Sequence, residues 1–124
     1  DPTRYDVLVM ENLFGDVLSD LCARLVGGLG LVPGSNIGAR FAVFEAVHGS
    51  APNIAGKGVA NPIAVILSAA MMLRHIGEEA MADRVMTALG DVLSEGNVRT
   101  RHLARTAGTS QFADAICRQL QRAG

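Results

Sequence analysis

Residues 41–77 of the chain read FAVFEAVHGSAPNIAGKGVANPIAVILSAAMMLRHIG. The apolar start of this stretch predicts a strand over Phe41–Val47. A loop with three glycines and a proline, His48–Ala60, follows the strand. Asn61 is then a suitable N-cap, and a nearly continuous apolar run predicts a helix that ends at Gly77. A strand that leads through a long loop into a helix is typical of an α/β fold.

The sequence on either side of this stretch predicts the remaining elements. Tyr5–Met10 is short, apolar and rich in β-branched residues, which predicts a buried parallel strand. Apolar residues recur along Leu13–Val26, which predicts a helix with an inward-facing stripe. Gly30–Arg40 is rich in Gly, Pro, Ser and Asn and is predicted to be a loop. Two more helices are predicted over Glu78–Ser94 and Ser110–Gln121. The stripe on the first helix consists of Leu13, Val17, Leu21 and Leu25.

Composition excludes several classes of protein. Of the 124 residues, 49% are hydrophobic and 19% are charged, which is the balance of a chain with a core rather than of a disordered one. A net charge of −1 provides no basic field for nucleic acid, and no run approaches the ~18 apolar residues of a membrane span, so neither partner is expected. Cys22 and Cys117 have no metal-binding spacing, and a reduced, cytoplasmic compartment is the simplest prediction.

Asp16 and Asp20 are the first candidate site. Their spacing of four residues places both carboxylates on one face of the predicted helix, with Gly15 beside them. Hard cations such as Mg²⁺ usually take one or two carboxylates from a protein. The alternative is a solvated face on which Asp20 pairs with Arg24. The residues alone leave both interpretations open.

The segment Glu45–Asn61 is the second candidate site. It leaves the end of a strand and enters the N-terminus of a helix, where ligands commonly bind in α/β proteins. Its glycines permit close backbone contact with a ligand, and Lys57 is placed to face a phosphate. An ordinary surface loop with a helix cap is the alternative, although loops of this length are more often functional. The polar side chains of the loop are His48, Ser50, Asn53 and Asn61.

Both candidate sites resemble segments of a known family. NLFGDVLSD at Asn12–Asp20 is similar to the NxxGDxxSD segment of the isocitrate/isopropylmalate dehydrogenases, which are β-decarboxylating dehydrogenases. HGSAP at His48–Pro52, with AGK and ANP further on, resembles their cofactor loop, and the similarity continues through TAGTSQFADAI. The resemblance implies the C-terminal portion of that α/β fold, which is not a Rossmann fold. Residues 1–28 would then belong to the small, dimerisation domain and residues 29–124 to the large domain.

The resemblance also implies ligands for the motif residues. Asp16 and Asp20 would bind Mg²⁺ or Mn²⁺, which also holds the substrate's hydroxyl and carboxylate. Asn61 would contact the adenine of NAD, and Glu45 would lie near the nicotinamide. Asn53 stands where members that use NAD usually carry an Asp that binds the ribose, and members that use NADP carry a Lys–Tyr pair at 53–54, so NAD is favoured over NADP. The remaining residues expected to line NAD are His48, Gly49, Ser50, Ala51 and Ile54.

No catalytic residue is expected inside the chain. The family's catalytic Tyr and Lys would lie upstream, and the Lys reaches across from a partner subunit, so the resemblance implies a homodimer or higher homo-oligomer. The 124 residues by themselves are therefore expected to be inactive. The family's RTxDLGG segment reads RTRHLAR at Arg99–Arg105, a basic stretch that is interpreted as a solvated turn.

The implied activity is the metal-dependent oxidative decarboxylation of a 2-hydroxy acid with NAD. The segments around LCARLVGGLGLVPGSNIG and AVFEAVHGSAP are most similar to NAD-dependent isocitrate dehydrogenases, which form 2-oxoglutarate in the tricarboxylic acid cycle. Isopropylmalate, homoisocitrate and tartrate or malate are alternative substrates. A non-catalytic regulatory subunit and a truncated remnant are alternatives of another kind, but both motifs are intact, which favours a catalytic lineage.

Overall fold

A computed structural model describes residues 1–96, 98 and 107–122 of the chain. The helices are α1 (Asn12–Leu25), α2 (Ile63–His75), α3 (Glu79–Glu95) and α4 (Thr109–Arg122), and the strands are β1 (Pro33–Ile37) and β2 (Ala42–Ala46). Short 3-10 turns lie at Pro2–Arg4, Leu29–Leu31 and Pro52–Ile54. The predicted α/β class is confirmed, and so are the predicted helices to within two residues at their ends.

The two strands form an antiparallel hairpin. Pro33 lies opposite Ala46 at one end of the ladder, and Ile37 lies opposite Ala42 at the other. The prediction of a loop over Gly30–Arg40 is therefore wrong. The low strand propensity of PGSNI is overridden because β2 offers a ladder of hydrogen bonds, and Pro33 occupies the first strand position, where its missing N–H costs least. A Cβ at Gly34 would lie only 3.2 Å from the carbonyl oxygen of Glu45, so glycine suits this close pairing.

Helices α2, α3 and α4 enclose the hydrophobic core. Helix α2 packs on both strands and on α3, and α3 packs on α4. Phe112 is fully buried at the centre of this three-helix layer. The core therefore depends on the C-terminal two thirds of the chain. Its buried residues are Ile63, Ala88, Leu89, Val92, Phe112, Ala115 and Ile116.

The start of α2 is joined to the loop and to the sheet. The side-chain oxygen of Asn61 accepts a hydrogen bond from the N–H of Ile63 at 3.1 Å, which confirms the predicted capping role of Asn61. One turn later the buried hydroxyl of Ser68 lies 2.8 Å from the carbonyl oxygens of Ala64 and of Glu45. A hydroxyl has one proton, so the two acceptors share it, and the contact fixes α2 against the end of β2.

The N-terminal segment differs most from the sequence prediction. Tyr5–Met10 forms no strand, and Val9 is 93% exposed. A strand needs a neighbour for its backbone groups, and among the described residues β1 and β2 pair only with each other. Helix α1 forms as predicted, but its stripe of Leu13, Val17, Leu21 and Leu25 is exposed rather than inward-facing. Ala23 is the only buried residue that α1 contributes, and the helix packs against the turn Leu29–Leu31.

Two further expectations concern particular segments. The basic stretch Arg99–Arg105 lies outside the described residues. Among the helices that the structure describes, none is both long and apolar enough to cross a membrane.

Candidate functional site

A cavity of about 1120 Å³ opens between the loop that follows β2 and the N-terminus of α4. Among the described residues, the predicted loop forms most of its wall, and the turn after α1 and the first residues of α4 also contribute. The lining residues are Leu29, Gly30, His48, Gly49, Ser50, Ala51, Ile54, Ala55, Gly56, Gly58, Val59, Ala60, Asn61, Thr109 and Ser110. The fold therefore brings together residues that are separated by up to about 80 positions in the sequence.

The loop turns sharply at Ala51. This residue has φ 43° and ψ 60°, a left-handed conformation that side chains with a Cβ rarely adopt. Its carbonyl oxygen accepts a hydrogen bond from the N–H of Ile54 at 3.0 Å, which closes the 3-10 turn Pro52–Ile54. Strained residues of this kind persist where the surrounding structure holds them, and they concentrate at functional sites. The strain at Ala51 therefore supports a functional interpretation of the loop.

His48 is held at the entrance of the loop by the backbone of the next residue, Gly49. Its Nδ1 atom lies 3.0 Å from the carbonyl oxygen of Gly49 and donates to it, because a carbonyl oxygen only accepts. In the neutral ring, Nε2 is then left as an acceptor. The ring is exposed and so is accessible to a ligand at the cavity.

Asn61 presents an unsatisfied donor in the cavity wall. Its Oδ1 atom is engaged by the N–H of Ile63, while its Nδ2 atom is buried and has no hydrogen-bond partner among the described residues. Gly30 lies against this amide, since a Cβ at Gly30 would be 3.4 Å from Asn61 Cβ and 3.9 Å from Asn61 Nδ2. A buried N–H without a partner is costly, so an acceptor atom of a bound ligand would remove that cost.

The N-terminus of α4 holds the far side of the loop. The backbone N–H of Thr109 donates to the carbonyl oxygen of Gly58 at 2.8 Å, and its hydroxyl donates to that of Ala60 at 2.5 Å. Sequence reasoning did not include Thr109 or Ser110 in the site. No local pattern pairs a helix start with a loop 49 positions earlier, so only the tertiary structure reveals this contact.

The part of the cavity wall that the structure describes is neutral. None of the lining residues within residues 1–96, 98 and 107–122 is acidic or basic apart from the imidazole of His48. Apolar and small side chains dominate, and the few polar groups are hydroxyls, an amide and an imidazole. Such a wall suits an uncharged, flat ligand group that needs a small number of directed hydrogen bonds.

Four of the predicted site residues lie away from this cavity. Glu45 is exposed on β2, where its carboxylate accepts a hydrogen bond from the amide of Asn36 at 3.2 Å. Asn53 lies in the 3-10 turn but not among the lining residues. Asp16 and Asp20 are exposed on α1. The predicted residues that do line the cavity are His48, Gly49, Ser50, Ala51, Ile54 and Asn61.

Asp16 and Asp20 are exposed on α1, as both the metal-site interpretation and the solvated-face alternative require. The alternative ion pair between Asp20 and Arg24 does not form, because Arg74–Asp83 is the only salt bridge within residues 1–96, 98 and 107–122. Over the same ranges no group of three or more His, Cys, Asp or Glu residues is arranged to hold a metal ion. The metal site at Asp16 and Asp20 therefore stays a prediction, based on two carboxylates that share a face of α1.

Comparison with known proteins gives consistent results at three levels. Residues 1–116 match the protein family described as Isocitrate/isopropylmalate dehydrogenase. The chain is 52% identical over 122 residues to a protein of Sus scrofa named isocitrate dehydrogenase (NAD) subunit alpha, mitochondrial. The aligned residues make up 98% of this chain and 33% of that protein. The chain is also 58% identical over 120 residues to a Thermus thermophilus protein named isocitrate/homoisocitrate dehydrogenase. Here the aligned residues make up 97% of this chain and 36% of that protein.

A solved structure agrees with the fold. The crystal structure of isocitrate dehydrogenase from Methylococcus capsulatus superposes with a TM-score of 0.89 at 54% identity, over 98% of this chain and 36% of that one. The chain thus spans about a third of the length of the relatives it matches. The motifs at Asn12–Asp20 and His48–Pro52 therefore predicted the correct family. On the match over residues 1–116, the chain belongs to the isocitrate/isopropylmalate dehydrogenase family.

Proposed function

We propose that the protein containing this chain is a metal-dependent dehydrogenase that uses NAD to decarboxylate isocitrate oxidatively. The observation that carries the proposal is that Asn61, whose buried amide nitrogen has no hydrogen-bond partner among the described residues, lines the cavity. Six of the residues that the family resemblance assigns to NAD line this cavity, although they were chosen from sequence motifs alone.

The cavity suits the adenosine half of a dinucleotide. Adenine is flat and uncharged and carries ring nitrogens that accept hydrogen bonds, which matches the described part of the wall, where the lining is neutral and Asn61 offers an unpartnered N–H donor. The N-terminus of α4 lies at the same cavity, and the dipole of a helix favours negative charge at that end. A pyrophosphate near Ser110 and a purine near Asn61 would use both features.

Asp16 and Asp20 are the residues that would hold the metal ion. They are exposed and supply the hard oxygen donors that Mg²⁺ or Mn²⁺ prefers. When bound, the ion supplies Lewis-acid chemistry that stabilises negative charge on an oxygen of the hydroxy acid. The chain's own contribution is to hold two carboxylates on one helical face, with Gly15 leaving space beside them because nothing lies within 4 Å of a Cβ built there.

Isocitrate is supported by the names of the relatives, and homoisocitrate is the second candidate. The Sus scrofa relative is named for isocitrate alone, whereas the Thermus thermophilus relative, with the higher identity, is named for both acids. The two acids differ in chain length, so their discrimination depends on the shape of the substrate pocket.

A cytoplasmic location stays a prediction, as does the division of the chain into two domains near residue 28.

The exposed stripe of α1 supports a homodimer. Val17 and Leu25 are 63% and 76% exposed, and Phe14 beside them is also exposed. Apolar patches of this kind usually mark interfaces. A second copy that covers the stripe would also lie close to the Asp16–Asp20 face of the same helix.

The test is substrate-dependent reduction of NAD, followed by NADH absorbance, with the protein expressed at the full length that its gene encodes. We expect turnover with isocitrate and Mn²⁺, loss of turnover when a chelator removes the metal, and recovery when Mn²⁺ is restored. Homoisocitrate, isopropylmalate, tartrate and malate are compared at equal concentration. A folded protein that binds NAD but reduces it with none of these acids would contradict the proposed reaction.

A further inference from the structure

We infer that Thr109 is the positioning residue of the cavity, because it holds the loop segment that presents the amide of Asn61. The inference deepens the proposed function and rests on it, since it assigns a role to a residue that lies in a segment similar to the family but that the resemblance left without a role. Thr109 is described as a positioning residue because it acts on the ligand through the loop.

Two hydrogen bonds from Thr109 hold alternate carbonyls of the loop. Its N–H donates to Gly58 at 2.8 Å and its hydroxyl to Ala60 at 2.5 Å, so the backbone is held on both sides of Val59. Asn61 follows directly after Ala60, and its Oδ1 is held in turn by the N–H of Ile63. The position of the free Nδ2 atom therefore depends on a chain of contacts that begins at Thr109.

The first turn of α4 leaves the Thr109 hydroxyl available for this task. The N–H of Gly108, at the cap position, donates to the side chain of Gln111 at 3.0 Å, which is one half of a capping box. Gln111 thus satisfies the N–H of Gly108, and the Thr109 hydroxyl bonds to a residue 49 positions away instead of to its own helix.

Gly108 allows the close approach on which these bonds depend. A Cβ at this position would lie 3.1 Å from the carbonyl oxygen of Gly58, which is the acceptor of the Thr109 N–H. Because that neighbour is backbone, a side chain at position 108 requires the loop or α4 to shift by a few tenths of an ångström. The Gly108–Thr109 pair therefore contributes both the space and the donors.

The experiment compares three changes in the protein expressed at the full length that its gene encodes. Thr109→Val removes the hydroxyl and keeps the shape, Thr109→Ser restores the hydroxyl, and Thr87→Val makes the same change at an exposed position of α3. NAD affinity is measured by calorimetry, and amide hydrogen exchange is followed across residues 56–63. Kinetic constants for NAD are measured in parallel.

We expect Thr109→Val to bind NAD about tenfold more weakly and to raise KM for NAD more than it lowers kcat, since the hydrogen bond that holds the loop at Ala60 is lost. Exchange across residues 56–63 should become faster in this variant alone, and Thr109→Ser and Thr87→Val should resemble the wild type. Gly108→Ala should reproduce the effects without removing any donor. If Thr109→Val does not fold, Gly108→Ala is used in its place for the same measurements.

Wild-type NAD affinity and wild-type loop exchange in both Thr109→Val and Gly108→Ala would overturn the inference. The proposed function fails separately, if the wild-type protein binds no NAD. In that case the exchange comparison still decides whether Thr109 positions the loop, because it needs no ligand.

Discussion

The two polar atoms of the Asn61 amide have different roles, one in the fold and the other in the cavity wall. Oδ1 caps α2 through the N–H of Ile63, and Nδ2 is buried and unpartnered within the described residues. A change that removes only the donor therefore separates the structural role from the proposed binding role.

Asn61→Asp keeps the capping oxygen and removes the N–H donor. We expect NAD affinity to fall about tenfold or more, because a donor is replaced by an acceptor that faces the purine, while the thermal midpoint changes little since Asp is also a good N-cap. Calorimetry with NAD and thermal unfolding measure the two effects. Equal NAD affinity in the variant and the wild type would show that Nδ2 makes no contact with the cofactor.

Asp16→Asn and Asp20→Asn keep the shape of the side chain and remove a charge from the proposed metal site. Ligand charge strengthens the binding of hard cations, so we expect metal-dependent turnover to fall much more than NAD binding. Steady-state kinetics over a Mn²⁺ titration give the measurement. The matched control is Asp83→Asn on α3. The exposed ion pair of Asp83 with Arg74 contributes only ~0.2–1 kcal/mol to stability, and we expect this variant to keep its turnover.

Wild-type turnover and metal dependence in both carboxylate variants would exclude the metal site on α1. The functional assignment would then rest on the cavity alone.

At the scale of elements, α4 serves the core and the cavity at once. Phe112 and Ile116 are buried against α3, while Thr109 and Ser110 line the cavity one turn earlier. The C-terminal end of α4 is held as well, because the guanidinium of Arg84 donates to the carbonyl oxygen of Leu120 at 3.1 Å. Anchoring at both ends gives the cavity wall a rigid support.

Phe112→Ala leaves a void at the centre of the three-helix core. We expect a loss of about 3–5 kcal/mol in the free energy of unfolding, because the residue is 0% exposed and its neighbours on α2 and α3 are held by packing. Urea denaturation measures the change. Met81→Ala on the exposed side of α3 is the control, and a similar loss in both variants would contradict this description of the core.

At the scale of the whole molecule, apolar surface is divided unevenly. The C-terminal two thirds bury theirs between three helices, whereas Tyr5–Val26 leaves most of its large apolar side chains exposed. The chain spans about a third of the length of its relatives, so partners for this surface belong to the proposed complete enzyme.

The stripe on α1 predicts self-association of the full-length protein. We expect a dimer in sedimentation at micromolar concentration, and Val17→Asp should shift it towards monomer, since a charge is costly in a buried apolar interface. Glu79→Asp, on an exposed part of α3, is the control. A monodisperse monomer of the wild-type protein would contradict the prediction.

The 124 residues expressed alone should reduce no NAD with isocitrate and Mn²⁺. They contain the cavity and the carboxylate pair but span about a third of the relatives that carry the dehydrogenase names. NADH absorbance at high protein concentration is the measurement. Metal-dependent turnover by this piece would show that the catalytic groups lie within it.

The features that the sequence alone determined are those with local causes. Helix α2 followed from its apolar run and the cap at Asn61, and its end followed from Gly77, which adopts φ 85°. The family followed from two motifs, and six of the eight residues assigned to NAD lie together in the cavity. Caps, periodicity and motifs depend on residues within a few positions of one another, so a sequence displays them directly.

Only the tertiary structure decided the features that depend on distant neighbours. PGSNI became β1 because β2 supplied its hydrogen bonds, and YDVLVM formed no strand because no described strand lies beside it. Thr109 entered the cavity wall through a bond to a residue 49 positions earlier. Strand pairing and side-chain burial depend on which elements meet in space, and the residue pattern of a single segment does not identify the element that it will pack against.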